Sequence, residues 1–273
     1  MDVNELDDAT YGLFDFDLWL YDIGFGCQIG DDILPFEFVK SRIDDRMENI
    51  IEQLGLVAVE GYTTGSGNFR YDIAKQAPYK GTRVNTRKPF HFKNIENYLC
   101  FRWNCKILHG IEADDMLAVR QKQLGSKSII ISRDKDLRMV SGWHFGYECG
   151  KQGEFGPMLV HGLGEIDDKG KGWGIKFFWA QMLMGDSTDN IIGCRNRGKV
   201  FAFKTLNHLD TEEEMALSVS KCYYDVYGTE WKSVMLEQGR LLWMHDTLNE
   251  DGTPVLWELP ECIQGVEYDE SEA

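Results

Sequence analysis

The chain predicts an α/β fold: a mainly parallel central sheet flanked by helices, followed by a helical C-terminal region. Three observations carry this. Short apolar runs at 11–16 and 128–132 end in polar or acidic residues, as buried strands of a parallel sheet do. A helix-spaced segment at 36–54 separates the first run from a second at 56–59, giving β-α-β. From residue 177 onward the pattern turns helical.

The elements follow in order. Residues 11–16 form a strand with Asp15 and Asp17 near its C-terminal end. In 36–54, Phe38, Ile43, Met47, Ile50, Ile51 and Leu54 recur at approximate helical spacing, and Gly55 is the stop. Residues 61–90, rich in Gly, Thr and Asn and interleaved with basic residues, are expected as a long loop or an irregular helical lid. Residues 92–103 predict a helix, 105–108 a strand, 113–124 a helix closed by Gly125, and 128–132 a central strand. The stretch 164–174, GEIDDKGKGWG, is expected to be a flexible loop.

With 273 residues, 43% of them hydrophobic and 12% aromatic, the chain can bury a sizeable core, which excludes a disordered protein. The reading is one α/β domain over 1–180 and a smaller helical region over 181–273. No run reaches the roughly 20 apolar residues of a membrane span, and the acidic start MDVNELDD differs from a signal peptide, so a cytoplasmic protein without a membrane partner is expected. The seven cysteines are scattered without zinc spacing and are read as reduced, mostly buried thiols.

A formal charge of -16 argues by itself against a nucleic-acid partner. Within 70–106, however, Arg70, Lys75, Lys80, Arg83, Arg87, Lys88, Lys93, Arg102 and Lys106 face only Asp72 and Glu96. This basic island is either a local field for a polyanion or an ordinary solvated face.

Four segments carry acids where strands end or helices begin. They are Asp15; Glu112, Asp114 and Asp115 in GIEADDM; Asp134 and Asp136 in SRDKDL; and Asp186 and Asp189 in MGDSTDN. Each alone has a plain explanation as a helix cap or turn former. Together, at the carboxyl edge of a parallel sheet, so many carboxylates repel one another unless protonated or neutralised by cations. Oxygen donors without nearby His or Cys suit Mg²⁺ or Mn²⁺. Asp134 and Asp136 point the same way in an extended chain, and Asp186 and Asp189 do so if helical.

In this order, GIEADDM, SRDKDL and MGDSTDNIIG resemble the acidic motifs of the 5'-nuclease family, which includes flap endonucleases, phage 5'→3' exonucleases and the nuclease domain of DNA polymerase I. Asn68-Phe69-Arg70 and Tyr79-Lys80-Gly81-Thr82-Arg83 extend the resemblance, which runs from about residue 13 to 206. It implies a PIN-like 5'-nuclease domain over 1–180 with a basic lid or arch around 61–106. It also implies a helix-three-turn-helix DNA-binding region within 181–273.

The implied chemistry is hydrolysis of phosphodiesters at or near 5' ends or flaps of duplex DNA, extending to RNA–DNA hybrids, in phage replication or host DNA degradation. Such an enzyme would work in the host cytoplasm. Two Mg²⁺ or Mn²⁺ ions would be held, one mainly by Glu112, Asp114, Asp115 and Asp134, the other by Asp136, Asp186 and Asp189, with Asp15 between them. Lys80 and Arg83 would contact the scissile phosphate. Arg70, Tyr79, Lys80, Arg83, Gly193, Arg195, Arg197, Gly198 and Lys199 would bind DNA, and the hairpin would hold K⁺.

The chain departs from the family pattern twice. The acid after the second strand is missing near Thr64 or Gly65, where Glu60 is the available substitute. In the hairpin, Asn196 replaces a glycine, a residue that still tolerates left-handed φ, and this touches the K⁺ site. Rival readings are a haloacid-dehalogenase-type phosphatase built on Asp15-Phe16-Asp17, and a PIN-type ribonuclease, which would not need the hairpin.

Overall fold

A computed structural model describes residues 6, 10–30, 32–83 and 86–268. In chain order the elements are β1 (Tyr11–Asp15), α1 (Asp17–Gly26), β2 (Gln28–Ile29), β3 (Asp32–Ile33), α2 (Phe36–Leu54), β4 (Ala58–Thr64), α3 (Arg70–Ile73), α4 (Phe92–Arg102), β5 (Cys105–Leu108), α5 (Ala113–Leu124) and β6 (Ser128–Ile131). There follow β7 (Gly142–Gly146), β8 (Phe155–Val160), β9 (Glu165–Ile166), β10 (Gly172–Trp173), α6 (Gly174–Met184), α7 (Lys199–Leu206), α8 (Glu212–Tyr227), α9 (Trp231–Leu242) and α10 (Glu261–Gln264).

Six strands form one sheet in the order β5-β4-β1-β6-β7-β8. All neighbours pair in parallel except β8, which runs antiparallel to β7. The chain lays β4 and then β5 on one side of β1 and places β6 on the other. Connections therefore diverge at the C-terminal ends of β1 and β6, opening the crevice where open α/β sheets bind ligands.

Two-residue alternation builds a core on each face. Leu13 and Ile130 join a core with α5, α6, α8 and α9, while Phe14, Ile129 and Ile131 join one with α1, α2 and α4. On α2 the buried stripe is Val39, Ile43, Met47, Ile50 and Leu54. The expected Phe38 is 60% exposed, because Val39 continues the stripe through Ile43 and Met47 and Phe38 falls outside it. Met47 is fully buried, a position where truncation to Ala typically costs about 2–5 kcal/mol. Gly55 ends the helix at φ 60°, the left-handed conformation expected of it.

Three expectations are corrected. The second strand is Ala58–Thr64, not 56–59. Gly61 obscured it: a Cβ there would stand 2.1 Å from the Phe16 ring, so close packing demands a residue of weak strand propensity. Consequently 61–90 is not one long loop but starts as strand and continues with the short helical pieces of the alternative reading. It completes β4, forms α3, and makes a short 3₁₀ turn at Gly81–Arg83. Finally, 164–174 contains the antiparallel β9–β10 pair, with Asp167 Oδ1 accepting from the Lys169 and Lys171 amides at 2.9 and 2.8 Å. That aspartate turn orders a stretch whose composition reads as a loop.

The seven cysteines are free thiols, with Cys27, Cys105, Cys194 and Cys222 buried, as expected. Among the described residues, no helix is long and apolar enough to cross a membrane.

Candidate metal centre

The acids meet at the C-terminal edge of the sheet. Beyond β6, the Ser132 hydroxyl donates to Asp15 Oδ2 at 2.7 Å and accepts from the Asp134 amide at 2.8 Å. The Asp136 amide in turn donates to Asp134 Oδ1 at 2.8 Å. This turn presents the two acids of SRDKDL beside Asp15.

Asp186 and Asp189 come together differently from the helical spacing expected. Asp186 and Ile191 exchange both backbone hydrogen bonds at 2.8 Å, closing a tight turn, and Asn190 adopts φ 59°. The result is a trio, Asp136, Asp186 and Asp189, each offering an oxygen within 4.8 Å of the others. Lys135 reaches into it, with Nζ 2.9 Å from Asp136 and 2.7 Å from Asp186.

Asp15 and Asp17 are tied to the start of α5, which carries Glu112 and Asp114, by short links instead. The Asp17 amide donates to Asp15 Oδ1 at 3.0 Å, and the Thr64 amide donates to Asp17 Oδ1 at 2.8 Å. Thr64 Oγ1 accepts from the Ala113 amide at 2.9 Å, pinning the start of α5. Burial, then the charges of Asp17 and Asp134, push the Asp15 carboxyl up to about 7 against the Ser132 hydrogen bond. Burial and then Asp134 push Asp136 up to about 7 as well. Asp114 is raised by burial and by Asp134, Asp15, Glu112 and Asp17 in turn. Carboxylates so mutually repelled form an oxygen-only donor set that fits hard divalent cations.

Lys80 and Arg83 project from a loop locked onto the Asp186–Asp189 turn. The Lys80 amide donates to the Asp189 carbonyl and the Asn190 side chain to the Pro78 carbonyl, both at 2.8 Å. Lys80, at φ 52°, pairs with Glu112 and stands 3.9 Å from Asp189, while Arg83 lies 2.9 Å from Asp189. Thus YKGTR and GDSTDN, distant in sequence, form one unit.

Several expected roles are corrected. Arg70 is 1% exposed and cannot reach DNA. Its guanidinium binds both oxygens of Asp115, at 2.6 and 2.8 Å, and Glu112 at 3.0 Å. Asp115 is fully buried and also accepts from the His245 amide, so it anchors the start of α5 through Arg70 and the chain after α9. Tyr79 is 4% exposed, its hydroxyl 2.8 Å from Glu112 and 3.0 Å from Asp189, so it braces these acids. Glu60 does not replace the missing acid, because it is occupied by Tyr62, Lys106 and Arg120.

Asp17, Lys135 and His245 were missed. Asp17 was visible as the second acid of FDFD, and Lys135 by its place between Asp134 and Asp136. His245 carried no sequence signal, since its approach to Asp115 is created by the return of the chain after α9.

Between α6 and α7, Gly193 takes φ 67° and Asn196 φ 61°, as its tolerance of that region allows. A Cβ on Gly193 would stand 2.4 Å from the Gly185 amide, so glycine is required there. Arg195, Gly198 and Lys199 are exposed and Arg197 partly so, leaving a basic tip at the start of α7.

This architecture matches the fold of solved 5'-nucleases. The T5 D15 protein co-crystallised with metal ions matches with a TM-score of 0.59 at 14% identity, over 86% of this chain and 89% of that one. The bacteriophage T5 D15 flap endonuclease, in a pseudo-enzyme–product complex with DNA and metal ions, matches with a TM-score of 0.53 at 14% identity, over 89% and 94%. In sequence, 177 residues are 28% identical to DNA polymerase I of Bacillus caldotenax, 59% of this chain but 19% of that polymerase. No family model matches the chain.

Proposed function

We propose that the chain is a metal-dependent 5'→3' exodeoxyribonuclease and flap endonuclease that hydrolyses phosphodiesters at or near 5' ends of duplex DNA. The observation that carries this reading is the Asp136–Asp186–Asp189 trio with Lys80 and Arg83 docked against it. Acids and cations in one crevice suit a phosphate bridged to the protein from both sides.

In this reading the trio holds one Mg²⁺ or Mn²⁺, and Asp15, Glu112, Asp114 and Asp134 hold the other. Such a pair supplies charge that polarises the phosphate and acidifies an attacking water. The protein's own part is positioning. Arg70 and Tyr79 fix Glu112, and Ser132 fixes Asp15 against Asp134. Lys80 and Arg83 exchange their carboxylate partners for the non-bridging oxygens of the substrate and offset charge as the bond to the 3'-oxygen breaks.

The acids from Asp15 to Asp189 carry the chemistry, and Arg195, Arg197, Gly198 and Lys199 at the hairpin grip the duplex backbone, whereas Gly193, buried with its amide donating to Gln238 Oε1 at 2.8 Å, shapes the turn and does not touch DNA. The test is digestion of 5'-labelled duplex, 5'-flap and RNA–DNA substrates with Mg²⁺, reading product length and polarity. Full cleavage in excess EDTA overturns the proposal.

A further inference from the structure

We infer that Asp17 is a metal-holding carboxylate, taking at the end of β4 the part that an acid at position 64 would otherwise play. The inference rests on the metal-dependent reading above and deepens it.

Thr64 closes β4 at the sheet edge with a neutral side chain, and Glu60 points its charge toward Lys106 and Arg120 instead. Asp17 arrives at the same place from the neighbouring segment. Its Oδ1 accepts from the Thr64 amide at 2.8 Å, while its own amide donates to Asp15 Oδ1 at 3.0 Å. Thr64 Oγ1 accepts from the Ala113 amide, so one threonine connects Asp17 to the α5 terminus that carries Asp114. Asp17 thus brings a carboxylate to the end of β4, where Thr64 has none.

An acid in the first turn of α1 is also what the helix dipole favours. The two roles have opposite consequences. A helix-capping Asp17 stabilises the metal-free protein, whereas one held among like charges destabilises it and gains its value when an ion arrives.

The experiment titrates Mn²⁺ into the full chain without DNA, by calorimetry and by the paramagnetic resonance of free Mn²⁺. The variants are Asp17→Asn, Asp17→Asn/Thr64→Asp and, as a control, Asp186→Asn/Asp189→Asn. Asn keeps the acceptor for the Thr64 amide, and Asp17→Ser serves if Asn disturbs α1. The expected result is that Asp17→Asn weakens one Mn²⁺ by on the order of tenfold or more through loss of an anionic ligand. It also raises the metal-free melting temperature, and moving the acid to position 64 restores binding. If Asp17→Asn binds Mn²⁺ like the parent while the control loses an ion, Asp17 is no ligand and the nuclease reading stands. A lowered metal-free melting temperature with no recovery in the swap makes Asp17 structural and overturns the inference. Absence of Mn²⁺ binding by the parent overturns both readings.

Discussion

Arg70 and Asp115 form a two-pronged ion pair sealed from solvent, Nη1 to Oδ2 at 2.6 Å and Nη2 to Oδ1 at 2.8 Å, with side chains 1% and 0% exposed. The same guanidinium donates to the Leu241 and Trp243 carbonyls at 3.0 and 2.8 Å. Through Arg70, the chain beyond α9 is tied to the first turn of α5, beside Glu112.

Arg70→Ala leaves Asp115 buried without its partner and two carbonyls without donors. Breaking a buried pair in this way costs about 3–5 kcal/mol, to be read in urea unfolding. Burial alone would raise the Asp115 carboxyl, but Arg70 and His245 hold it well below the ordinary range. Its folded-state value is depressed, so its contribution is present above the unfolded value of about 3.9 and lost as pH falls below it toward the folded value. Parental stability should therefore drop on acidification below about pH 4. A loss under about 1 kcal/mol for Arg70→Ala would show that the pair is stabilised by little more than a surface bridge.

Asp15 and Asp136 act in the opposite direction, since both carboxyls are pushed up to about 7 by burial and by neighbouring acids. Between about pH 4, where these groups ionise in the unfolded chain, and pH 7, the folded state holds more protons. Metal-free stability should therefore fall as pH rises through that window and level off above it. Melting curves in EDTA from pH 4.5 to 8.5 check the slope. Adding Mg²⁺ should raise the melting temperature more at pH 8 than at pH 5, because protons and ions compete for the same oxygens. A Mg²⁺ effect independent of pH would place the ions elsewhere.

The parallel sheet was legible because 11–16 and 128–132 carry continuous apolar runs, and α5 because Gly125 ends a periodic segment. The acids at Asp15, Asp134, Asp136, Asp186 and Asp189 were legible because strand ends and turns leave them at one sheet edge. Arg70 was misread because a cation in a basic window looks solvent-facing, while the partners that bury it lie at positions 115 and 241–245, beyond any local pattern. Strand β4 was misplaced because Gly61 is required by Phe16, a tertiary contact that overrides propensity. The asymmetry is general: periodicity reports which face is buried, not which distant charge lies opposite.

Asp186→Asn with Asp189→Asn removes two anionic ligands from the trio at nearly constant size. The turn should survive, because Asn can accept the Thr188 amide bond that Asp186 accepts at 2.8 Å. Turnover should fall by several orders of magnitude, as one of two ions sharing the transition-state charge is weakened or lost. DNA binding should be equal or tighter, since negative charge beside the phosphate has been removed. Single-turnover cleavage and metal-free binding, measured together, separate the two effects. Cleavage at near the parental rate would reduce GDSTDN to a structural turn.

Lys80→Ala and Arg195→Ala/Arg197→Ala divide chemistry from grip. Lys80 lies against Glu112 and near Asp189, so its loss leaves the acids in place but removes a cation aimed at the phosphate. The expected cost is on the order of 10²–10³ in single-turnover rate, comparable to loss of an oxyanion donor. Its DNA affinity should change little, because one contact among many is lost. The hairpin pair should behave in reverse. Arg195 is exposed and Arg197 partly exposed, held at a tip shaped by Gly193 and Asn196. Removing both should weaken binding and flatten the dependence of log affinity on log salt by about one to two units, one per phosphate contact. Cleavage at saturating DNA should stay near the parental rate, since neither residue touches the acids' hydrogen-bond network. The check is fluorescence anisotropy from 50 to 300 mM KCl, with single-turnover rates at saturation. An unchanged salt slope would place the duplex elsewhere than on the hairpin.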